Sequence, residues 1–377
     1  MGLLMPLEFA ESPRSSLGLE WELMLVDPVT GDLVPEGPAL LESLRRAGHG
    51  DGVTGELFTN TIEVTSRPRA FVAEAIEDVV ERIAAVRAAA EPLGLALIGA
   101  GSHPFAQWFE QSVTVSGRYR KFVERTQWWG RNMMIWGVHV HIGVESRDKV
   151  MPLIAGLGTH LPHLLALSAS SPFWAGERTG YASNRALMFQ QLPTAGLPWA
   201  LERWGDFEGY VGDLVRTGII EDATEVRWDI RPAPRWGTIE LRACDAVATP
   251  GELAALAALT QCLVEALSRR LDAGEPITVL PPWYQRENRW RAARYGLDAI
   301  IIVDAEGREV PCTEHLAELL ETLAPIARDL GCTAELDGVR RILEEGAGYQ
   351  RQLARGEDPA AVARSLIEEF DAGRPLS

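Results

Sequence analysis

The segment Arg227–Asp245 constrains the fold most, because charged and apolar residues alternate along it with a period of two. This period is typical of β-strands, and the central Pro-Ala-Pro-Arg-Trp-Gly break predicts a connection between two antiparallel strands. Side chains two positions apart project from one face of a strand, so Glu240 and Arg242 share a face. The same spacing places three residues on one face of the first strand: Arg227, Asp229 and Arg231. A solvated salt-bridge face and a functional site both fit this pattern.

A second predicted strand, Leu17–Val26, carries two carboxylates at the same spacing, Glu20 and Glu22. Like charges this close repel each other, and the pair is costly on a strand that is otherwise Leu, Met and Val. A bound cation removes that cost; an exposed acidic edge is the structural alternative. Glu56 and Glu63 flank another β-rich run, which could place both in the same sheet with a bend or bulge between them.

Two histidines lie on one face of a third predicted strand, whose other face is valine and isoleucine. His139 and His141 are flanked by Gly137 and Gly143, which let a ligand approach closely. A single buried histidine is usually structural, but two at this spacing favour a site. The segment 116–129, with Arg118, Tyr119, Arg120, Lys121 and Arg125, predicts either a helix or a mobile loop over that site.

Charge and length narrow the function classes. The chain has 377 residues and a formal net charge of −17, which argues against a nucleic-acid partner because phosphate binding needs a basic face. Four cysteines without zinc or disulfide spacing predict reduced thiols in a cytoplasmic protein. The N-terminal ten residues lack a basic segment and no apolar run appears long enough to span a bilayer, so we expect no membrane partner.

Helical periodicity dominates the rest of the chain, from a long amphipathic helix over 68–93 to an Ala- and Leu-rich helix over 250–272. The final helices are predicted at 312–330 and 334–370. Without a linker or repeat, we expect one domain over 1–377, with a sheet-bearing core to about 272 and a mostly helical part over 273–377. The fold class is α+β, an antiparallel sheet forming a metal-lined funnel with helices on its outer face.

The polar pairs on these strands predict a common site. If the strands belong to one antiparallel sheet, the carboxylates, imidazoles and guanidinium groups converge on one concave face. Carboxylates with a single imidazole suit Mg²⁺ or Mn²⁺, whereas zinc prefers more nitrogen or thiolate ligands. Arginines bind phosphate and carboxylate in a bidentate manner. Metal ions and arginines without a phosphate-binding loop indicate nucleoside triphosphate chemistry.

These motifs resemble those of the ATP-dependent carboxylate–amine ligases of glutamate–cysteine ligase type 2, in the glutamine synthetase superfamily with its glutamine synthetase/guanido kinase-like catalytic fold. The matching stretches span nearly the whole chain: Gly18–Leu23, Gly137–Gly143, Ser183–Arg185, Trp228–Pro232, Gly237–Arg242 and Asn288–Gly296. Trp21 stands where family members often carry a further glutamate. It is expected to point away from Glu20 and Glu22.

The resemblance implies a two-step reaction in which the γ-carboxylate of glutamate takes the terminal phosphate of ATP and an amine, cysteine in the named activity, then displaces it. It implies that His141 lies near the ATP phosphates. Arg185 and Arg231 would bind ATP and stabilise the transferring phosphoryl group, and Arg242 would bind the amino-acid carboxylate. It implies metal ligands at six positions: Glu20, Glu22, Glu56, Glu63, His139 and Glu240.

Three questions stay open from the sequence. The first is the amine, because no residue pattern identifies a thiol pocket. The second is the class of activity, since the same groups would serve a two-metal hydrolase or a protein that binds Mg-ATP without turnover. The third is assembly, where the resemblance and the apolar helical surface make a homodimer plausible.

Overall fold

The structure, a computed structural model, describes residues 7–376, so part of the N-terminal segment considered above lies outside the described residues. Within this range there are eleven strands: β1 Leu17–Val26, β2 Val53–Gly55, β3 Thr61–Thr65, β4 Ala96–Ile98, β5 Gly137–Gly143, β6 Phe173–Trp174, β7 Glu177–Arg178, β8 Ile230–Ala233, β9 Thr238–Asp245, β10 Ile300–Ile302 and β11 Glu309–Pro311.

Seven of these strands form the main sheet, in the order β2-β3-β1-β5-β9-β8, with β4 pairing to the end of β1. Every strand pair in it is antiparallel. The remaining four strands form two small hairpins, β6-β7 and β10-β11. The predicted α+β class with an antiparallel sheet is therefore confirmed.

The helices surround this sheet and fill the C-terminal part. They are α1 Gly37–Ala47, α2 Val72–Ala90, α3 Gly117–Thr126, α4 Trp128–Arg131, α5 Arg147–Ser168, α6 Asn184–Phe189, α7 Trp204–Arg216, α8 Pro250–Asp272, α9 Pro282–Tyr295, α10 Cys312–Leu330, α11 Thr333–Leu336, α12 Gly338–Glu345, α13 Gly348–Ala354 and α14 Pro359–Ala372. The predicted helix over 334–370 is thus wrong in detail, because glycines at 338, 346 and 348 and Pro359 divide it.

Strand β1 follows its sequence pattern closely. Leu17, Leu19 and Trp21 are fully buried on the core side, and the residues between them are partly exposed on the other face. Trp21 points away from Glu20 and Glu22, as expected, and its indole nitrogen donates to the Val247 carbonyl at 3.2 Å. The period of two therefore separates the apolar core from the polar face.

The predicted hairpin over Arg227–Asp245 forms, but its first strand begins at Ile230. The expectation that Arg227, Asp229 and Arg231 share one face is wrong, because the i, i+2 rule applies only within a strand. Asp229 is buried and binds Arg289 instead. Only Arg231 of the three lies on the β8 strand itself.

Two long helices, α5 and α8, pack behind the sheet. By length and composition, both helices could cross a membrane. The expectation that no apolar run is long enough to span a bilayer is therefore wrong. Most of each apolar window, 83 % in α5 and 89 % in α8, is buried within the protein. Core helices of this kind pass the same composition test, so the apolar stretches are explained by packing. The division into a sheet-bearing and a helical part stays a prediction.

Candidate active site

The register of the main sheet places the predicted site residues next to one another across five strands. Glu22 on β1 lies opposite Glu63 on β3, and Glu20 lies opposite His139 on β5. Farther along, His141 pairs with Glu240 on β9, and Glu240 also pairs with Arg231 on β8. Directly opposed residues on one face have adjacent side chains. The sheet therefore brings carboxylates, imidazoles and guanidinium groups into one continuous row.

Glu240 is the most heavily engaged carboxylate of this row. Its Oε2 accepts from Arg231 Nε at 2.7 Å and its Oε1 from Arg231 Nη2 at 3.3 Å. Arg242 also donates to Oε1. Burial alone would raise the pKa of Glu240, but the two guanidinium groups lower it well below its usual range. Glu240 is consequently ionised and fixed in position.

Both histidines contact Glu20. The Nδ1 of His139 lies 2.6 Å from Glu20 Oε2, and Nε2 of His141 lies 3.3 Å from Oε1. The other ring nitrogen of His141 is held by the Thr238 hydroxyl at 2.9 Å. Burial would raise the pKa of Glu20, but the hydrogen bonds from the two histidines lower it below the usual range. Burial lowers the pKa of His139 to about 4, which leaves a neutral imidazole suited to metal ligation.

Two groups of side chains could each hold a cation, and they share one imidazole. Glu20, His139 and Glu240 form the first, and Glu22, Glu63 and His139 the second, with ligand atoms within 4.8 Å of one another. In the second group, the pKa of Glu22 is raised to about 7 and that of Glu63 well above its usual range. Burial is the larger cause, and repulsion from the neighbouring carboxylates is the next. Divalent cations relieve this kind of repulsion.

Glu56 lies beyond the end of β2, outside the strands themselves. Its Oε2 accepts from the Tyr119 hydroxyl at 3.1 Å and from the backbone N–H of Leu57 at 3.2 Å. Burial raises its pKa. Glu56 lines the same cleft as Glu22 but belongs to neither of the two groups of candidate ligands. Its assignment as a metal ligand stays a prediction.

Arg185 is buried next to the sheet, and its terminal nitrogens bind the backbone. They donate to the carbonyls of Ala243 at 3.1 Å and Arg242 at 3.2 Å, where the register between β5 and β9 shifts. A Cβ at Gly137 would come within 2.1 Å of the guanidinium, so a larger residue there would displace Arg185. The structure thus places Arg185 near Glu22, and its role at the phosphate stays a prediction.

A cleft of about 550 Å³ opens on the Glu22 side of the row. Glu22, Glu56 and Arg242 lie in its lining, and helix α3 overhangs it. The helix alternative for residues 116–129 is therefore correct. Its ion pair from Lys121 Nζ to Glu221 Oε1, 2.8 Å long, spans the opening.

Three apolar residues that were not predicted also line the cleft. Met133, Phe189 and Leu192 form a small buried cluster separate from the main core. Phe189 and Leu192 lie three residues apart in one turn, whereas Met133 comes from a distant segment, so no local sequence signal joins all three. Thr238 was likewise missed, and only its position opposite Gly143 and beside His141 reveals it.

The donor chemistry fits Mg²⁺ or Mn²⁺ better than zinc. Apart from the imidazoles, every candidate ligand is a carboxylate oxygen, and the described cysteines lie elsewhere, buried in the core. The arginines beside Glu240 add positive charge for a phosphate or a carboxylate. Such a site can polarise and hold anionic substrates without a covalent nucleophile from the protein.

Comparison with known proteins agrees with this geometry. The model of glutamate–cysteine ligase family 2 matches residues 16–369. The chain belongs to this family. A relative from Leifsonia xyli subsp. xyli, which carries the provisional name glutamate–cysteine ligase 2, is 57 % identical over 376 residues, covering 97 % of this chain and 99 % of its own.

Solved structures with lower sequence identity share the fold. The glutamate–cysteine ligase of Francisella tularensis, solved in complex with AMP, has a TM-score of 0.68 at 14 % identity, over 96 % of this chain and 90 % of its own. A bifunctional glutathione synthetase from Pasteurella multocida has a TM-score of 0.62 at 14 % identity, over 95 % of this chain and 50 % of its own. At these identities the likeness concerns the fold, which is the one that the sequence motifs predicted.

Proposed function

We propose that the protein is an ATP-dependent carboxylate–amine ligase that activates the γ-carboxylate of glutamate as an acyl phosphate. The observation that carries this proposal is the row of opposed side chains across β3, β1, β5, β9 and β8, which combines two candidate cation sites with the arginines at Glu240. Membership of the family and the AMP complex of the Francisella structure support ATP as the phosphoryl donor.

The reaction has two steps, and neither requires a covalent bond between the enzyme and a substrate. A carboxylate oxygen of glutamate forms a bond to the terminal phosphorus of ATP, and the bond to the β-phosphate oxygen breaks, releasing ADP. The amine nitrogen then forms a bond to the acyl carbon, and the carbon–oxygen bond to phosphate breaks. The departing phosphate takes the surplus proton of the amine.

The chain's own residues bind and orient the reactants in this scheme. His141 and Arg231 lie at one end of the row, where the phosphates would bind, and Arg242 faces the cleft, where it would bind the amino-acid carboxylate. Glu20, Glu240 and His139 would hold one cation and Glu22 with Glu63 a second, which would neutralise phosphate charge. Catalysis would consist of positioning and charge neutralisation.

The test is ADP formation measured with ATP, Mg²⁺ or Mn²⁺, glutamate and a panel of amines that includes cysteine. The proposal requires ADP release that depends on glutamate together with an amine. Phosphate release without an amine would instead support the two-metal hydrolase, and saturable Mg-ATP binding without turnover would support a binding protein. Cysteine is the named amine of the family, and γ-glutamylcysteine is the product to be sought first by mass spectrometry.

A matched pair of variants tests the site. Glu240→Gln removes the charge that faces Arg231 and Arg242, so ADP formation is expected to fall at least 100-fold. Glu81→Gln, an exposed change on α2, serves as the control and should retain full activity. Full activity in Glu240→Gln would refute the assignment of the row as the active site.

A further inference from the structure

The small apolar cluster lies inside the cleft and not behind it. Met133, Phe189 and Leu192 pack together, with 5 %, 8 % and 7 % of their surfaces exposed, and partly buried Phe122 and Ile135 pack against them. All five contribute to the cleft lining. Small satellite clusters usually support a loop. This one also forms a wall of the same cavity that Glu22 and Glu56 line.

The cleft lies on one side of the row of charged groups. Its lining includes Glu22, Glu56 and Arg242, whereas His141 and Arg231 lie outside it. In the proposed ligase the phosphates occupy the His141 end, because the imidazole and Arg231 are the groups that meet phosphate oxygens there. The cleft is consequently the side from which glutamate and the amine reach the acyl carbon.

The charged side chains of the cleft lining pair mostly at its rim. Two guanidinium groups also lie over aromatic rings of the cluster, Arg185 at 5.7 Å from the centroid of Phe189 and Arg227 at 5.5 Å from that of Phe122. Lys121 and Arg125 face Glu221 and Glu225 across the opening, at 2.8 Å and 3.8 Å, so they occupy the rim. The guanidinium of Arg227 is also directed to Glu225, at 3.4 Å. A substrate group that lies against Met133, Phe189 and Leu192 therefore meets carbon and sulfur atoms, which favour an apolar group.

We infer that the amine acceptor carries an apolar side chain larger than that of cysteine, held against the wall formed by Met133, Phe189 and Leu192. This inference rests on the proposed ligase function and specifies its second substrate. The volume of about 550 Å³ accommodates the glutamyl group and a leucine- or phenylalanine-sized amine together. A methionine in the wall is consistent with this, since its flexible side chain adapts to differently shaped apolar ligands.

The experiment measures kcat/KM for ADP formation with glutamate and each of five amines: glycine, serine, cysteine, leucine and phenylalanine. The inference predicts that leucine or phenylalanine exceeds glycine and serine by about 10-fold to 100-fold, the range for added methylene groups in an apolar pocket. It also predicts a higher value than for cysteine. A preference for cysteine or serine would overturn the inference and leave the ligase function intact, whereas absence of ADP with every amine would refute the ligase function itself.

A substitution in the apolar wall tests whether this surface determines the preference for the amine. Leu192→Ser is expected to raise the KM for the apolar amine about 10-fold while changing the KM for ATP less than twofold. Leu93→Ser, a leucine 39 % exposed outside the cleft, is the matched control and should change neither KM. A rise in the KM for ATP alone would show that the wall binds the adenine ring, and the inference would then be wrong.

Discussion

Arg289 and Asp229 form a buried ion pair that connects helix α9 to the segment preceding β8. Nε of Arg289 lies 2.6 Å from Oδ2 of Asp229, and Nη2 lies 3.2 Å from Oδ1. The same guanidinium donates to the Ala186 carbonyl and to the side chain of Gln190, both at 2.9 Å. The backbone carbonyl of Asp229 in turn accepts from the N–H of Arg242 at 2.8 Å. The helical C-terminal part thus positions residues that line the site.

Replacing one member of this pair should be costly, because it leaves a buried charge without its partner. Asp229→Asn is expected to lower the free energy of unfolding by about 3 kcal/mol or more. Chemical denaturation followed by circular dichroism measures this difference. Because the backbone at 229 supports Arg242, the KM for glutamate should also rise.

An exposed pair of the same chemical type provides the control. Arg216 and Asp213 lie 2.6 Å apart on α7, with more than 60 % of each side chain exposed. Asp213→Asn should change the free energy of unfolding by less than about 0.5 kcal/mol. Equal losses in the two variants would contradict a special role for the buried pair.

The stability of the protein should depend on metal ions because several carboxylates lie close together around Glu22. Burial and the neighbouring carboxylates oppose ionisation of Glu63 and raise its pKa, and Glu63→Gln removes this cost. The variant should therefore be more stable than the wild type in EDTA, by about 1 kcal/mol. The same change removes a candidate ligand. Addition of Mg²⁺ or Mn²⁺ should therefore raise the melting temperature of the wild type much more than that of the variant.

Differential scanning fluorimetry over a range of metal concentrations provides the measurement, with Glu81→Gln on α2 as the control. The control should behave like the wild type in both EDTA and Mg²⁺. An identical metal-dependent shift in Glu63→Gln and the wild type would remove Glu63 from the ligand set.

Helix α3 covers the cleft without a buried residue of its own, so its contacts at the rim should affect substrate binding. Lys121→Glu places two glutamates opposite each other and should lower kcat/KM about three- to fivefold, the range for one exposed ion pair. The charge-swapped double variant Lys121→Glu with Glu221→Lys should recover most of this loss. If the double variant is as impaired as the single one, the ion pair does not hold α3 over the cleft.

A group of three histidines between α5 and α10, of which His163 is buried, should make stability depend on pH. His163 Nε2 lies 2.8 Å from His315 Nδ1, and the ring of His160 lies 5.8 Å from that of His163. The pKa of His163 lies well below its usual value, mainly because of burial and secondly because of the two neighbouring imidazoles. Glu318 and Arg308 are the charged groups acting on His315.

The direction of the pH dependence follows from the number of protons that the folded and unfolded states bind. The unfolded chain protonates His163 near pH 6.5, whereas the folded protein keeps it neutral, so stability falls as the pH decreases below about 6.5. Each such histidine contributes about 1.4 kcal/mol per pH unit to this loss. His163→Leu should reduce the slope between pH 6 and pH 5 by about that amount in urea denaturation, while the exposed change His49→Gln should not. An unchanged slope in His163→Leu would contradict the prediction.

The sequence predicts the strands that carry the site because alternation is a local property. In β1 the spacing of Glu20 and Glu22 among buried Leu and Trp residues fixes both the strand and the face of each side chain. The same reasoning succeeds for His139 and His141. Convergence of these strands on one face required the assumption of a common sheet, and the register confirms it.

The errors arise where tertiary contacts override the local pattern. Asp229 shares the alternation of the hairpin, but the chain becomes a strand only at Ile230, and Arg289, 60 residues away, takes its carboxylate. The apolar wall of the cleft shows the same limit. Phe189 and Leu192 are three residues apart in one turn, but nothing in the local sequence indicates that Met133, far earlier in the chain, packs against them.

The double engagement of Glu240 has a kinetic consequence. Arg231 and Arg242 both contact the oxygens that a cation would bind, so the arrival of the cation competes with them and releases guanidinium groups toward incoming anions. Such competition favours an ordered sequence of addition, with the cation before the nucleotide and glutamate. Initial rates measured with free Mg²⁺ and ATP varied independently would distinguish this order from random addition.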